Sequence, residues 1–359
     1  MNGRVENPRR NRANRRSRWL LTALAAVPVG LSITFTTSSL LPSKPYALDL
    51  AAQASHWMLC VQFALVLALI ALRRIRLGIL ALIAAGASGF ALFVFASPRP
   101  AQTDRGPYIP IRVITFNSLN VKSLNDQALF DWLVRQNPDF VAVIDAMPGF
   151  GRNHSGVNQS LPYRLEPHRG ANWPIVLLSK HPIEAVRLGE RSDATIYSYV
   201  ANRAIEATLP DGTSIILTAM HPYSPRTSGK WRTSLMQVER DAKVLASAQR
   251  RFTAPILVAA DHNSTPMGML HRRFRHVTGM STRSNPFSGT WPAKNPTFFA
   301  FPIDRVWASP EVRFVRSTVG PAFRSDHRPV VVDLRIPARS AAQPTAAEPQ
   351  STHRELPDP

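Results

Sequence analysis

Residues 254–263 read APILVAADHN, an apolar run of strand character that ends in an acid, an imidazole and a carboxamide. Unbroken Val/Ile/Leu runs mark strands covered on both faces, because an exposed face would alternate with polar residues. A carboxylate at such a strand end is a poor packing group and a good ligand for a hard cation. Alternation along the strand puts Asp261 and Asn263 on one side and His262 on the other. Asp261 and Asn263 are therefore candidates to hold an attacking water, and His262 reads as a packing residue. Taken alone, the same residues are equally an Asx turn. The motif gains its weight from its company.

That company lies on both sides. Strand-like runs recur at IRVITF (111–116), FVAVI (140–144), PIVLLS (174–179), SIILTAM (214–220), RVWAS (305–309) and PVVVDL (329–334). Asn117 and Asp145 end the first two, and His221, opening HPYSP, ends the fourth. Asp304 of IDRV opens the fifth, and Asp326 and His327 of SDH precede the last. Helical periodicity appears at 124–136 and at 231–250, where Leu235, Val238, Ala242 and Leu245 share a face. Thr265-Pro266 predicts a helix start directly after AADHN. Strands covered on both faces and amphipathic helices imply an α/β fold of sheets flanked by helices, and loops at one sheet edge of such a fold gather into one site.

The acid within IDRV needs a partner, since unpaired burial of a carboxylate is costly. Arg305 points to the opposite face of the strand, which leaves His327. A carboxylate on one ring nitrogen fixes the tautomer and raises the basicity of the other. Asp326 is then free for a metal. Cys60 is the single cysteine, which excludes an intrachain disulfide and a zinc site of clustered thiolates. Oxygen ligands remain, and they favour Mg²⁺, with Mn²⁺ or Ca²⁺ as alternatives.

The first hundred residues differ in kind. Apolar segments at about 19–41, 50–72 and 77–97 are each near the ~20 residues that span hydrocarbon as a helix. The second and third are the stronger candidates, and Pro28 weakens the first. Seven arginines in residues 1–18, and Arg73, Arg74 and Arg76 between the second and third segments, place both basic clusters in the cytoplasm with three spans. The domain after residue 97 is then expected outside, in the periplasm of a Gram-negative cell, held in the inner membrane. Residues 98–108 read as a Pro-rich linker, 109–336 as the catalytic domain and 337–359 as a disordered tail.

The chain carries 43 Lys and Arg against 23 Asp and Glu. Residues 1–97 hold 11 basic and 2 acidic residues, so the remainder still has an excess of eleven positive charges. Such a surface favours a polyanion, slightly favouring nucleic acid over a phospholipid headgroup or a small phosphate. Arginine used only for solubility is the plainer account. The three spans contain no intramembrane charge of the kind that marks a transport pathway.

Taken in order, ITFNSLN, FVAVID, HPYSP, AADHN, IDRV and SDHRPVVVDL resemble the endonuclease/exonuclease/phosphatase superfamily over about 109–336. That resemblance implies a four-layer sandwich of two β-sheets flanked by helices and a divalent-metal phosphoesterase, most simply a phosphodiesterase. It implies that Asn117, Asp145 and Asp326 serve the metal and that Asp261 and Asn263 position water. It also implies that His327, paired with Asp304, contacts the phosphate or acts as base, and that His221 binds phosphate and acts as general acid. Two departures stand out. Ile144-Asp145 replaces the usual Gln-Glu, one methylene short for an ion whose ligands lie at ~2.1 Å, and Ala260 replaces a usual Gly. A catalytically silent phosphate-binding module is the alternative that the first departure supports. The only acid in 165–175 available to orient His221 is Glu166.

Overall fold

The computed structural model describes residues 8–99, 106–120, 126–166, 175–189, 200 and 203–338. The tail from residue 339 and most of the 98–108 linker lie outside the described residues. Two six-stranded sheets stack face to face. Across the first the order is β11 (Arg313–Val319), β12 (Val330–Pro337), β1 (Tyr108–Asn120), β2 (Phe140–Ala146), β4 (Ile175–Ser179) and β3 (Tyr163–Leu165). Across the second it is β5 (Ile183–Val186), β6 (Ala204–Thr208), β7 (Ser214–Met220), β8 (Ile256–Asp261), β10 (Asp304–Ala308) and β9 (Ser281–Thr282).

Alternation along each strand divides the core into layers. Val113, Ala142, Ile144, Leu217, Leu257, Ala259 and Val332 fill the space between the sheets. Ile114, Phe116, Val141 and Val143 face the other way, against Leu129 and Leu133 of helix α5 (Gln127–Gln136). Ile216, Val258 and Trp307 pack on Val238, Ala242 and Leu245 of α7 (Ser228–Arg251) and Phe274 of α8 (Met269–Thr278). The α/β sandwich with helices on both outer faces is thus built as the apolar runs require. A short helix, α6 (Ser155–Ser160), adds Val157 to the layer outside the first sheet.

Strand direction decides where the polar strand ends go. β1 pairs parallel with β2, and β7 parallel with β8, so Asn117, Asp145, His221 and Asp261 finish at one edge. β10 runs antiparallel to β8 with Asp304 opposite Asp261, and β12 runs antiparallel to β1. Both begin at that same edge, bringing Asp304 and the SDH loop to it.

The apolar N-terminal part forms α1 (Pro8–Leu40), α2 (Tyr46–Ala52), α3 (Ser55–Ala71) and α4 (Ile75–Ala96). Thr22–Leu40 and Ile75–Ala96 are each long and apolar enough to cross a membrane. Pro28 lies inside α1 without ending it. The segment expected at 50–72 is not one straight helix: α2 and α3 are bent by 69° and make a third candidate span only together. The cause lies in the polar residues at the break. Gln53 accepts a hydrogen bond from the Thr265 amide at 2.7 Å, and Asp49 accepts from the Met269 amide at 2.8 Å and from Trp231 Nε1 at 2.9 Å. A straight helix would forfeit all three.

The same contacts move a helix start. Thr265-Pro266 does not open a helix; α8 begins at Met269, behind Gly268. A Cβ on Gly268 would meet Ser264 Oγ at 2.1 Å and Gln53 Nε2 at 2.2 Å, so only glycine permits α2 to lie this close.

Candidate active site

A cleft of about 450 Å³ opens at the shared edge of the two sheets. Asn117, Asp145, His221, Asp261, Asn263, Asp326 and His327 all line it. Asp304 does not; it sits behind His327, buried, with its Oδ2 at 2.8 Å from Nδ1 of that ring. Residues as distant in sequence as 117 and 327 thus meet around one space.

Asp261 stands at the centre. Its Oδ2 accepts from Asn117 Nδ2 at 2.9 Å and lies 3.2 Å from His221 Nε2 and 3.7 Å from His327 Nε2. Its Oδ1 accepts from the Asn263 amide at 3.0 Å. Burial works against the charge on Asp261, yet the two imidazoles and these donors hold its carboxyl well below the usual carboxylate range. The converse holds for the rings. Burial works against an imidazolium at His327, but Asp304 and Asp261 outweigh it and push the pKa up to about 10. His221 is likewise raised by Asp261 against its burial. These groups titrate as a coupled set around one carboxylate.

The backbone around the cleft is shaped to serve it. Leu119, Asp145 and Asn263 adopt left-handed φ of 50°, 55° and 49°, unusual for residues with a Cβ and concentrated where function is expected. The register of β1 against β2 shifts between Asn117 and Asn120, a bulge that lets Asn117 Oδ1 accept from the Leu119 amide at 3.0 Å. Asn263 turns its carboxamide to donate to Pro222 O at 3.0 Å, tying the AADHN loop to HPYSP.

On the opposite face, His262 is buried among Phe274, Trp307 and His271, where burial lowers its pKa to about 3. Arg305 is also buried on that face. It donates to Pro302 O at 2.6 Å and to Ser264 O, and its Nη1 meets His271 Nδ1. His271 Nε2 in turn donates to Phe95 O of α4 at 2.9 Å. Arg305 thereby ties the loops at both ends of the acidic pair to the apolar N-terminal part.

The donor set fits a hard divalent cation. No hydrogen bond among the described residues reaches the Asp145 carboxylate, and its burial raises its pKa. Asp326 accepts from Trp291 Nε1 at 3.0 Å through Oδ2, while its Oδ1 is buried with no hydrogen-bond partner. With the Asn117 carboxamide oxygen, these are oxygen ligands with no charged group hydrogen-bonded to them, His327 Nε2 lying 4.0 Å from Asp326 Oδ1. Asp261, Asp304 and His327 also bring ligand-type atoms within 4.8 Å of one another. Their hydrogen bonds to each other make them a proton-handling chain in preference to a cage.

Several cleft residues gave no signal in sequence. Trp291 comes from a stretch without periodicity, and Leu50 and Gln53 belong to α2. Arg226 and Lys230, exposed at the rim, follow HPYSP closely, and a basic pair after a candidate phosphate-binding turn was the one available cue. Glu166 does not serve His221. It pairs with Arg152 at 3.1 Å and Arg164 at 3.2 Å, and the acid beside His221 is Asp261 itself.

Residues 114–327 match the model of the Endonuclease/Exonuclease/phosphatase family. Solved structures similar to this chain include an endonuclease/exonuclease/phosphatase from Beutenbergia cavernae, at 18% identity over 65% of this chain and 72% of that one, with a TM-score of 0.45. Another, from Bacteroides vulgatus, has 16% identity over 63% and 98% of the two chains and a TM-score of 0.47. An AP endonuclease from Archaeoglobus fulgidus has 14% identity over 62% and 98%, with a TM-score of 0.45. No curated protein matches this chain.

Proposed function

Because this chain belongs to the Endonuclease/Exonuclease/phosphatase family, whose members generally hydrolyse phosphate esters, we propose that it is a membrane-anchored, divalent-metal-dependent phosphodiesterase. The observation that carries the reading is the Asp261 carboxylate, set between two imidazoles beside the Asp145 carboxylate, which receives no hydrogen bond among the described residues, and Asp326, whose Oδ1 has none. Asn117, Asp145 and Asp326 would hold the metal, Mg²⁺ by the chemistry of the set. When bound, it would polarise the phosphoryl oxygens and neutralise the charge that grows on them.

The chain's own residues supply the rest. Asp261 and Asn263 align a water in line with the P–O bond to be broken. His327, kept as imidazolium and oriented by Asp304, donates from Nε2 to a phosphoryl oxygen. His221 delivers its Nε2 proton to the leaving oxygen. Asp261 is a weak base while both rings are charged. Loss of the His221 proton restores its basicity as the water's proton must leave, so the two transfers are coupled through one carboxylate.

We further propose that the apolar helices span the membrane with the domain outside. The domain-facing ends of α1, α3 and α4 are Leu40, Ser55 and Ala96, while Arg73, Arg74 and Arg76 lie at the far end beside Thr22, which accepts from Arg74 at 2.6 Å. Protease protection in spheroplasts tests this: external protease should digest the domain, and full protection would refute the orientation.

The chemical claim is tested with the purified full chain, Mg²⁺ or Mn²⁺ and bis(p-nitrophenyl) phosphate. Turnover is expected, and Asp261→Ala or His327→Ala should lower kcat on the order of a thousandfold with the fold retained. Undiminished activity in either variant would refute the assignment. The short Asp145 and its left-handed backbone favour one competing reading, a phosphate-binding module without turnover. Failure to bind millimolar Mg²⁺ or Mn²⁺ would decide for it.

A further inference from the structure

The N-terminal helices are not a tether set apart from the cleft. α2 lies between two candidate spans, at their domain-facing end, and its Leu50 together with Gln53 at its C-cap line the same cleft as Asp261, His221 and His327. Leu50 is 52% exposed while Asp49, one residue before it, is 1% exposed and bonded into the domain. The helix is therefore locked in place with an apolar side chain turned toward the opening.

The surroundings of the opening match a membrane boundary. Trp57, in the first turn of α3, donates from Nε1 to Phe298 O at 2.8 Å and packs on Phe301 with ring centroids 4.7 Å apart. Phe298 and Phe299 form part of a 3-10 helix, Thr297–Phe299, and are 39% and 58% exposed. Exposed aromatic rings at the level where a spanning helix begins are suited to the headgroup region. The α1 carboxyl end is fixed at the same level, since Arg272 donates to Ser39 O, Leu40 O and Leu41 O at 2.9, 3.1 and 2.9 Å.

We propose that the substrate of this site is a lipid-borne phosphodiester of the same membrane, entering the cleft across α2 with its apolar portion against Leu50 and the Phe298–Phe301 shelf. This rests on the phosphodiesterase reading and narrows its substrate class. Arg226 and Lys230, exposed at the rim where Trp231 is bonded to Asp49 of α2, are placed to meet the phosphate of such a lipid. A nucleic acid needs an open path for its backbone on both sides of the scissile phosphate, and α2 with the bilayer beside it closes one side. Water adds its oxygen to phosphorus, and the P–O bond to one ester alcohol breaks. The leaving oxygen takes the His221 proton, the water's proton passes to Asp261, and the products are a free alcohol and a phosphate monoester.

The test uses the full chain reconstituted with Mg²⁺ in vesicles of phosphatidylglycerol and phosphatidylethanolamine, with bis(p-nitrophenyl) phosphate and a single-stranded oligonucleotide in parallel. Lipid cleavage is expected to exceed oligonucleotide cleavage. The exposed position of Leu50 makes Leu50→Glu safe for folding, and it should lower the ratio of lipid to soluble-diester turnover about tenfold. A photoactivatable phosphatidylglycerol should crosslink to the peptide carrying Leu50. Hydrolysis of the soluble diester with intact lipid, or preference for the oligonucleotide, overturns this inference and leaves the phosphodiesterase reading standing. Hydrolysis of none of the three overturns both.

Discussion

The cleft holds two groups of acids in opposite surroundings. At the second sheet's edge, Asp261 accepts from His221, the Asn263 amide and Asn117 of the first sheet, and Asp304 grips His327 from the loop before β12. Beside them, the Asp145 carboxylate receives no hydrogen bond among the described residues, and Asp326 accepts one through Oδ2, from the neutral indole of Trp291. Both halves are acidic, so composition does not separate them. What separates them is whether positive charge is already hydrogen-bonded to the carboxylates. The Asp261–Asp304 half holds imidazoles from both sheets and is ready to move protons. The Asp145–Asp326 half has no charged hydrogen-bond partner, His327 Nε2 lying 4.0 Å from Asp326 Oδ1, and so is the half that a metal completes.

That contrast can be broken at several points. After the losses expected for Asp261→Ala and His327→Ala, the largest effect is expected at Asp304, which acts only through His327. Asp304→Asn should lower kcat about a hundredfold, because the ring loses the negative charge that keeps it an imidazolium, while metal affinity stays the same. Steady-state kinetics across a Mn²⁺ series would show whether the two parameters separate. In the other half, Asp145→Glu restores the missing methylene and should tighten Mg²⁺ binding about tenfold, read by calorimetry. Weaker binding would mean that the left-handed backbone at Asp145 already brings the shorter side chain to its ion.

Smaller effects bear on how each half is supported. Asp49→Ala leaves Trp231 Nε1 and the Met269 amide without their acceptor and should cost about 2 kcal/mol, seen as a fall of several degrees in Tm. Trp291→Phe removes a single donor to Asp326 and should lower kcat/KM by about tenfold, since one hydrogen bond to a carboxylate contributes ~1.5 kcal/mol. A larger loss would mean that Trp291 contacts substrate directly.

Much of this was readable in the chain. Every apolar run read as a strand is one, and the acids and imidazoles at the strand ends do line or back one cleft. They were legible because each side chain is set by strand alternation and the strand directions by short-range order. β3, β5, β6, β9 and β11 were missed, being short or edge strands whose residues mix polar and apolar, such as RFVRSTV at 313–319. The bend at residues 53–54 was missed for a different reason. Gln53 and Asp49 reveal nothing until Thr265, Trp231 and Met269 arrive from two hundred residues away. The same holds for Leu50 as a wall of the cleft. Local pattern finds groups that meet at strand ends; it does not find surfaces made by docking one part of the chain on another.

The most direct test of the division between the halves is a Mn²⁺ titration of the full chain, followed by electron paramagnetic resonance, in wild type, Asp145→Asn, Asp326→Asn and Asp304→Asn. The account predicts saturable binding in wild type, weakened about 10–100-fold by either of the first two substitutions and left unchanged by the third. Binding lost in Asp304→Asn and retained in Asp145→Asn and Asp326→Asn would put the ion among Asp261, Asp304 and His327 instead, and would contradict it.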